Sequence, residues 1–113
     1  MTVNRPWGSY TNIHTNENCN IKTIEILPGK QPSYQYHHKR EEHWIILRGE
    51  AEVTIDDKTT IKKAGDYVYV PLESKHRIKN LSNDNTLIFV EVQTGTYFGE
   101  DDIVRLQDDY GRS

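Results

Sequence analysis

The sequence predicts an all-β domain, a small antiparallel sandwich or barrel, and three observations carry that prediction. Short segments of β-branched and aromatic residues recur with turn signals at roughly eight- to twelve-residue spacing, the rhythm of such folds. The stretches between them, PGKQP, RGE, DDK, KKAGD, PLES and SNDN, are turn-forming in composition. In AEVTI the alternation is strict: Ala51, Val53 and Ile55 share one face, Glu52 and Thr54 the other, as a half-buried strand requires.

Taken in order, IKTIEIL (21–27) is a strand ended by PGKQP, and YQYH (34–37) is the next. WIIL (44–47) runs into the RGE turn, AEVTI (51–55) follows it and DDK ends it. YVYV (67–70) emerges from KKAGD and stops at PLES; HRIKN (76–80) and LIFVEVQ (87–93) flank SNDN. Only EDDIVRLQDD (100–109), with an acidic start and apolar Ile103, Val104 and Leu106, has the spacing of a short C-terminal helical turn. Residues 1–113 read as a single domain, with an N-terminal arm over 1–20 and a tail over 96–113 packing on the barrel.

Hydrophobic residues make up 35% of the chain, so the core is modest, and seven tyrosines against two phenylalanines predict a wet interior or an interface. No stretch nears the ~20 apolar residues of a membrane span, and MTVNRPWGSY lacks the apolar run of a signal peptide, so a cytoplasmic protein off the membrane is expected. Cys19 is alone, which excludes an internal disulfide and a thiolate zinc site. A net charge of -3 argues against nucleic acid. The basic residues Lys39, Arg40, Lys75, Arg77 and Lys79 cluster in HHKREEH and SKHRIKN beside histidines, a placement that suits a small anion.

In the strand Tyr34-Gln35-Tyr36-His37, Gln35 and His37 point the same way, about 7 Å apart, as a metal bound from one side wants. Glu42 follows a short turn, and His76 joins them only if two hairpins face each other across a barrel. A single histidine is more often hydrogen-bonded than metal-bound, so spacing has to decide. The residues Gly29, Gln35, His37, Glu42 and Gly49 spell G-x5-Q-x-H-x4-E-x6-G, and Gly65, Pro71, His76 and Asn80 spell G-x5-P-x4-H-x3-N. These resemble the two signature motifs of the cupin superfamily, with Gln35 where many cupins have their first histidine and Glu73 where they have a glycine. The implied fold is a double-stranded β-helix, a small jelly-roll barrel.

A closer resemblance covers almost the whole chain. RPWGSY, SYQYHHKREEHWIILRGEAEV, PLESKHRIKN and EVQTGTYFGEDDIVRLQDDYGR are similar to the type II mannose-6-phosphate isomerase domain, commonly the C-terminal part of a bifunctional enzyme that begins with a mannose-1-phosphate guanylyltransferase. Since the chain starts just before RPWG, the expectation is a stand-alone isomerase domain without the guanylyltransferase.

That resemblance implies interconversion of mannose-6-phosphate and fructose-6-phosphate in GDP-mannose and polysaccharide synthesis, with a divalent metal held by Gln35, His37, Glu42 and His76. The residues agree: two imidazoles, a carboxylate and an amide form a mixed N/O set for Zn first, with Mn, Co or Ni as alternatives and Fe compatible. Aldose–ketose isomerisation also needs a base, for which His43 and Glu52 are the candidates. The sugar phosphate calls for arginine, and Arg40, in the catalytic stretch, comes first, then Arg105 and Arg112 of the tail. Trp7 and Trp44 read as core or dimer packing rather than sugar stacking, and a homodimer with RPWGSY packed on the partner is expected. Competing functions are another cupin sugar isomerase or epimerase, a metal-dependent dioxygenase (disfavoured by Gln35), and a sugar-phosphate-binding module without turnover.

Overall fold

The structure, a computed structural model, describes residues 1–109. Alternating side chains and turn residues resolve into eleven strands: β1 (Thr2–Arg5), β2 (Gly8–Thr15), β3 (Cys19–Ile26), β4 (Tyr34–His37), β5 (Arg40–Arg48), β6 (Glu50–Ile55), β7 (Lys58–Lys63), β8 (Tyr67–Val70), β9 (His76–Asn80), β10 (Leu87–Gly95) and β11 (Ile103–Gln107). They form a six-stranded sheet in the order β1-β2-β3-β10-β5-β8 and a five-stranded sheet in the order β11-β4-β9-β6-β7, with antiparallel pairing throughout. Ile24, Ile26, Trp44, Ile46 and Phe89 of the first sheet meet Ala51, Val53 and Ile78 of the second to form the core. Among the described residues no helix is long and apolar enough to cross a membrane.

All seven strands predicted from the sequence are present, with ends moved by a few residues, and four more join them. Two lie in the segment expected to be an arm: β1 and β2 make a hairpin that extends the six-stranded sheet through β3. Trp7, at its turn, is buried in this chain's own core, and its carbonyl accepts the Leu27 amide at 2.9 Å. Of RPWGSY, Trp7 is thus taken up by this chain's own core, while Arg5 and Pro6 stay exposed. The strand β7, KTTIKK, buries almost nothing and gave no apolar signal; pairing with β6 alone, from Glu50↔Lys63 to Ile55↔Lys58, makes it a strand. The C-terminal helical turn shrinks to the 3-10 residues Glu100–Asp102, because 103–107 pair with β4 as β11. A free sheet edge, with its row of unpaired amides and carbonyls, outweighs the weak helical spacing of IVRL.

Two turns set up the site. Glu73, where cupins have glycine, takes the left-handed conformation that a glycine would take (φ 61), and its amide donates to the His37 carbonyl at 2.8 Å. The turn before β9 thus keeps the glycine-like shape at a modest cost in backbone strain. At Gly95 (φ 148) a Cβ would sit 2.2 Å from the Lys39 carbonyl oxygen and 2.8 Å from the Arg40 Cα, so β10 can cross the start of β5 only with glycine there.

Candidate metal centre

The site is built by alternation on three strands. Along β5 the inward side chains are Arg40, Glu42, Trp44 and Ile46; along β9 they are His76, Ile78 and Asn80. His37 closes β4, and Gln35 is the cross-strand partner of His76, so the two share the inner face. Donor atoms of His37, Glu42 and His76, all three buried, lie within 4.8 Å of one another. His37 Nδ1 is 3.6 Å from Glu42 Oε2, and His76 Nε2 is 3.8 Å from Glu42 Oε1.

Each of these groups is held from behind. His76 Nδ1 faces the Ser74 carbonyl at 2.9 Å; a proton there leaves the lone pair of Nε2 turned to the cluster. The Trp44 indole N–H donates to Glu42 Oε1 at 3.0 Å. Arg40 Nε donates to Glu42 Oε2 at 3.1 Å, and its Nη2 lies 3.0 Å from the same oxygen and 2.9 Å from His37 Nε2. Its Nη1 reaches Glu100 at 3.2 Å and the Phe98 carbonyl at 3.4 Å.

Burial pushes the His37 imidazole down to about 4, opposed by Glu42 and helped by Arg40, so the ring is neutral at pH 7. Burial works to raise Glu42, but His76, Arg40 and His37 outweigh it and hold the carboxyl well below the usual range, ionised. Two imidazoles, that of His37 neutral, and an ionised carboxylate converging on one point form the donor set of a borderline divalent cation, so the residues fit the metal that their spacing implies.

One pocket opens over this cluster, and Trp7, Tyr10, Gln35, Glu91, Glu100 and Arg105 contribute to its wall. Arg105, on β11, is the cross-strand partner of Gln35, and its Nε is buried without a hydrogen-bond partner among the described residues. Glu91 is buried on β10, accepts a hydrogen bond from the Gln93 amide at 2.6 Å, and is pushed up to about 8 by burial and by the charge of Glu42.

Two predicted catalytic residues do not reach this pocket. With Arg40, Glu42 and Trp44 facing in, His43 faces out; its Nδ1 is 2.6 Å from the Tyr67 hydroxyl and its ring stacks on Tyr69. With Ala51 and Val53 facing in, Glu52 faces out, opposite Lys79. Arg40 is in the pocket wall, but Glu42 and Glu100 engage its guanidinium from two sides, so it serves the carboxylates before it can serve a phosphate. Arg112 lies outside the described residues. Sequence reasoning missed Glu91, Glu100 and Lys22, the last also in the pocket wall with its Nζ 3.5 Å from Glu100. Two of them were readable: Glu91 and Gln93 continue the face of Leu87 and Phe89, and Lys22 continues that of Ile24 and Ile26.

Comparison with known proteins adds to this geometry. Residues 1–108 match the family model described as mannose-6-phosphate isomerase C-terminal. The chain is 46% identical over 111 residues to the alginate biosynthesis protein AlgA of Pseudomonas aeruginosa, covering 98% of this chain and 23% of that protein. Against the xanthan biosynthesis protein XanB of Xanthomonas campestris pv. campestris the identity is 45%, covering 98% and 24%. The chain thus spans about a quarter of the length of these curated relatives. An RmlC-like cupin from Shewanella frigidimarina superposes with a TM-score of 0.76 at 19% identity, covering 89% of this chain and 86% of that one, which shows the fold to be the cupin double-stranded β-helix.

Proposed function

Because this chain belongs to the mannose-6-phosphate isomerase C-terminal family, we propose that it interconverts mannose-6-phosphate and fructose-6-phosphate with a bound divalent metal. The observation that carries this reading is the convergence of His37, Glu42 and His76 beneath a pocket whose wall includes Arg105, a cation with a buried, unpartnered N–H. In the relatives' terms the product would feed polysaccharide biosynthesis, as the names of the alginate and xanthan proteins indicate.

His37, Glu42 and His76, with Gln35 as a fourth donor, would hold the ion, which when bound supplies a Lewis acid for the sugar's carbonyl and adjacent hydroxyl oxygens. Arg105 would take the phosphate, which anchors the sugar at the end remote from the reacting carbons. Glu91 replaces His43 and Glu52 as the base. It lines the pocket, and a carboxyl near neutrality both takes and gives protons. In the forward direction it removes the C2 proton of the aldose; that electron pair forms the C1=C2 bond of an enediol while O1 gains a proton. Return of the carbon-bound proton to C1, with loss of the O2 proton, gives the ketose, and nothing is oxidised or reduced overall.

The test is a coupled assay of fructose-6-phosphate formation on chelator-stripped protein refilled with Zn, Mn, Co or Ni, with metal content measured alongside. Expected are turnover restored by at least one metal and both metal and turnover lost in His76→Ala. Metal bound by the wild type without turnover would sink the isomerase and leave a binding module.

A further inference from the structure

Two buried cations in the pocket wall share a partner that is not buried. Lys22, inward on β3 beside Ile24, and Arg40, inward on β5, both meet the Glu100 carboxylate, at 3.5 Å from Nζ and 3.2 Å from Nη1. The Glu100 side chain is 47% exposed and lines the same pocket, so it stands at the mouth. Arg40 keeps Nε and Nη2 on Glu42 and turns Nη1 to Glu100, with the Phe98 carbonyl at 3.4 Å as its other acceptor. Lys22 is held less well. Its ammonium has three N–H donors, and among the described residues its one hydrogen-bond partner is Glu100, with the Tyr10 ring centroid 4.4 Å away. That contact is longer than the roughly 2.7–3.2 Å of a good N–H···O bond, thin pairing for a cation taken out of water.

Glu100 can leave without disturbing the fold. The 3-10 residues Glu100–Asp102 bury nothing, and the backbone around them is pinned on both sides: the Thr96 amide donates to the Lys39 carbonyl and the Lys39 amide to the Asp102 carboxylate, each at 2.9 Å. Only the Glu100 side chain has to turn, into water that already reaches half of it. We propose that the Glu100 carboxylate holds the place of a phosphate: Lys22 and Arg40 Nη1 form an anion site at the pocket mouth, and the phosphate of the substrate displaces Glu100 from it. Naming that anion as a sugar's phosphate rests on the isomerase reading; the anion site does not. A phosphate group carries roughly -1.5 to -2 charges near pH 7 against the carboxylate's one, and its three oxygens serve Lys22 and Arg40 and leave one for Arg105 of the same wall. An unphosphorylated sugar brings nothing to exchange for the two ion pairs, so the site selects the phosphorylated one.

Titration calorimetry of the full chain with inorganic phosphate near pH 7 tests this without turnover. Glu100→Gln keeps the shape and removes the competing charge, so phosphate should bind about tenfold more tightly than to the wild type, a gain that no damaged fold would show. Lys22→Met should bind it about tenfold more weakly, and Lys22→Arg should recover most of that loss. Should Lys22→Met fail to fold, Glu100→Gln decides alone. In the coupled assay the KM for mannose-6-phosphate should follow the same order and move more than kcat. Phosphate affinities in this order with no turnover in any variant would uphold the anion site and sink only the isomerase reading. Glu100→Gln binding phosphate no more tightly than the wild type, or not at all, would overturn the proposal and leave Glu100 as a structural partner of two cations. So would a folded Lys22→Met with the phosphate affinity of the wild type.

Discussion

The barrel interior has a dry end and a wet end, and four strands pass from one to the other within a row of each other. On β10 the inward residues pass from Leu87 and Phe89 to Glu91 and Gln93; on β5, from Ile46 and Trp44 to Glu42 and Arg40. On β3 they pass from Ile26 and Ile24 to Lys22 and Asn20, and on β9 Ile78 gives way to His76. The Trp44 ring stands at the boundary, 5.3 Å from Phe89 and 5.8 Å from His76 between centroids. Apolar burial contributes about 25 cal/mol per Å² at one end. At the other, ionised side chains leave water and recover the cost only through partners. A fold does not need the second end for stability, which is the physical reason to locate function there.

Six substitutions test that division. The largest effect is expected from Glu91→Gln, which should cut isomerisation by about 10²- to 10⁴-fold, the range for loss of an acid–base group. It carries a pH signature as well. The Glu91 carboxyl, pushed from 4.5 to about 8, keeps in the folded state a proton that the unfolded chain releases, so its stabilisation is complete below pH 4.5 and fades as pH rises through 8. Thermal melts of metal-free protein should accordingly show the wild type losing stability against Glu91→Gln from pH 5 to 8; parallel curves would place the carboxyl in water.

Phe89→Ala, at the dry end, should lower the unfolding free energy by about 3–5 kcal/mol in urea titrations. His76→Ala, at the wet end of metal-free protein, should cost less than half of that. Equal costs would erase the distinction between the ends. Next comes Arg105→Ala, for which a rise of about 10- to 100-fold in KM for the phosphorylated sugar, with a smaller change in kcat, is the signature of lost phosphate binding. An unchanged KM would move the phosphate elsewhere in the pocket. Smallest are His43→Ala and Glu52→Ala, each expected to keep kcat/KM within about twofold because both side chains lie outside the barrel. A loss of about 10²-fold in either would return the base to the outer surface.

Much of the fold was legible because strand signals are local. YQYH, YVYV and HRIKN were bounded to the residue, and AEVTI to within one. Of the four strands that escaped, β11 had been read as a helical turn, and the others gave no apolar alternation: β7, and the hairpin that reaches Trp7. The cluster of His37, Glu42 and His76 was legible from spacing as a candidate ligand set, and Arg105, expected as a cation for phosphate, lies in the pocket wall. His43 and Glu52 were misplaced although the strand period already turned them away from Glu42, Ala51 and Val53.

By itself the sequence determined the all-β class, most of the strands and a candidate metal-ligand set, because side-chain period and motif spacing are short-range properties of the chain. Only the tertiary structure decided that β11 would be a strand and that Arg105 would stand beside Gln35 and, through it, next to His76. It also put Glu91 beside Glu42. Backbone pairing depends little on side-chain identity and joins residues as far apart as 35 and 105, so no local pattern encodes those neighbours.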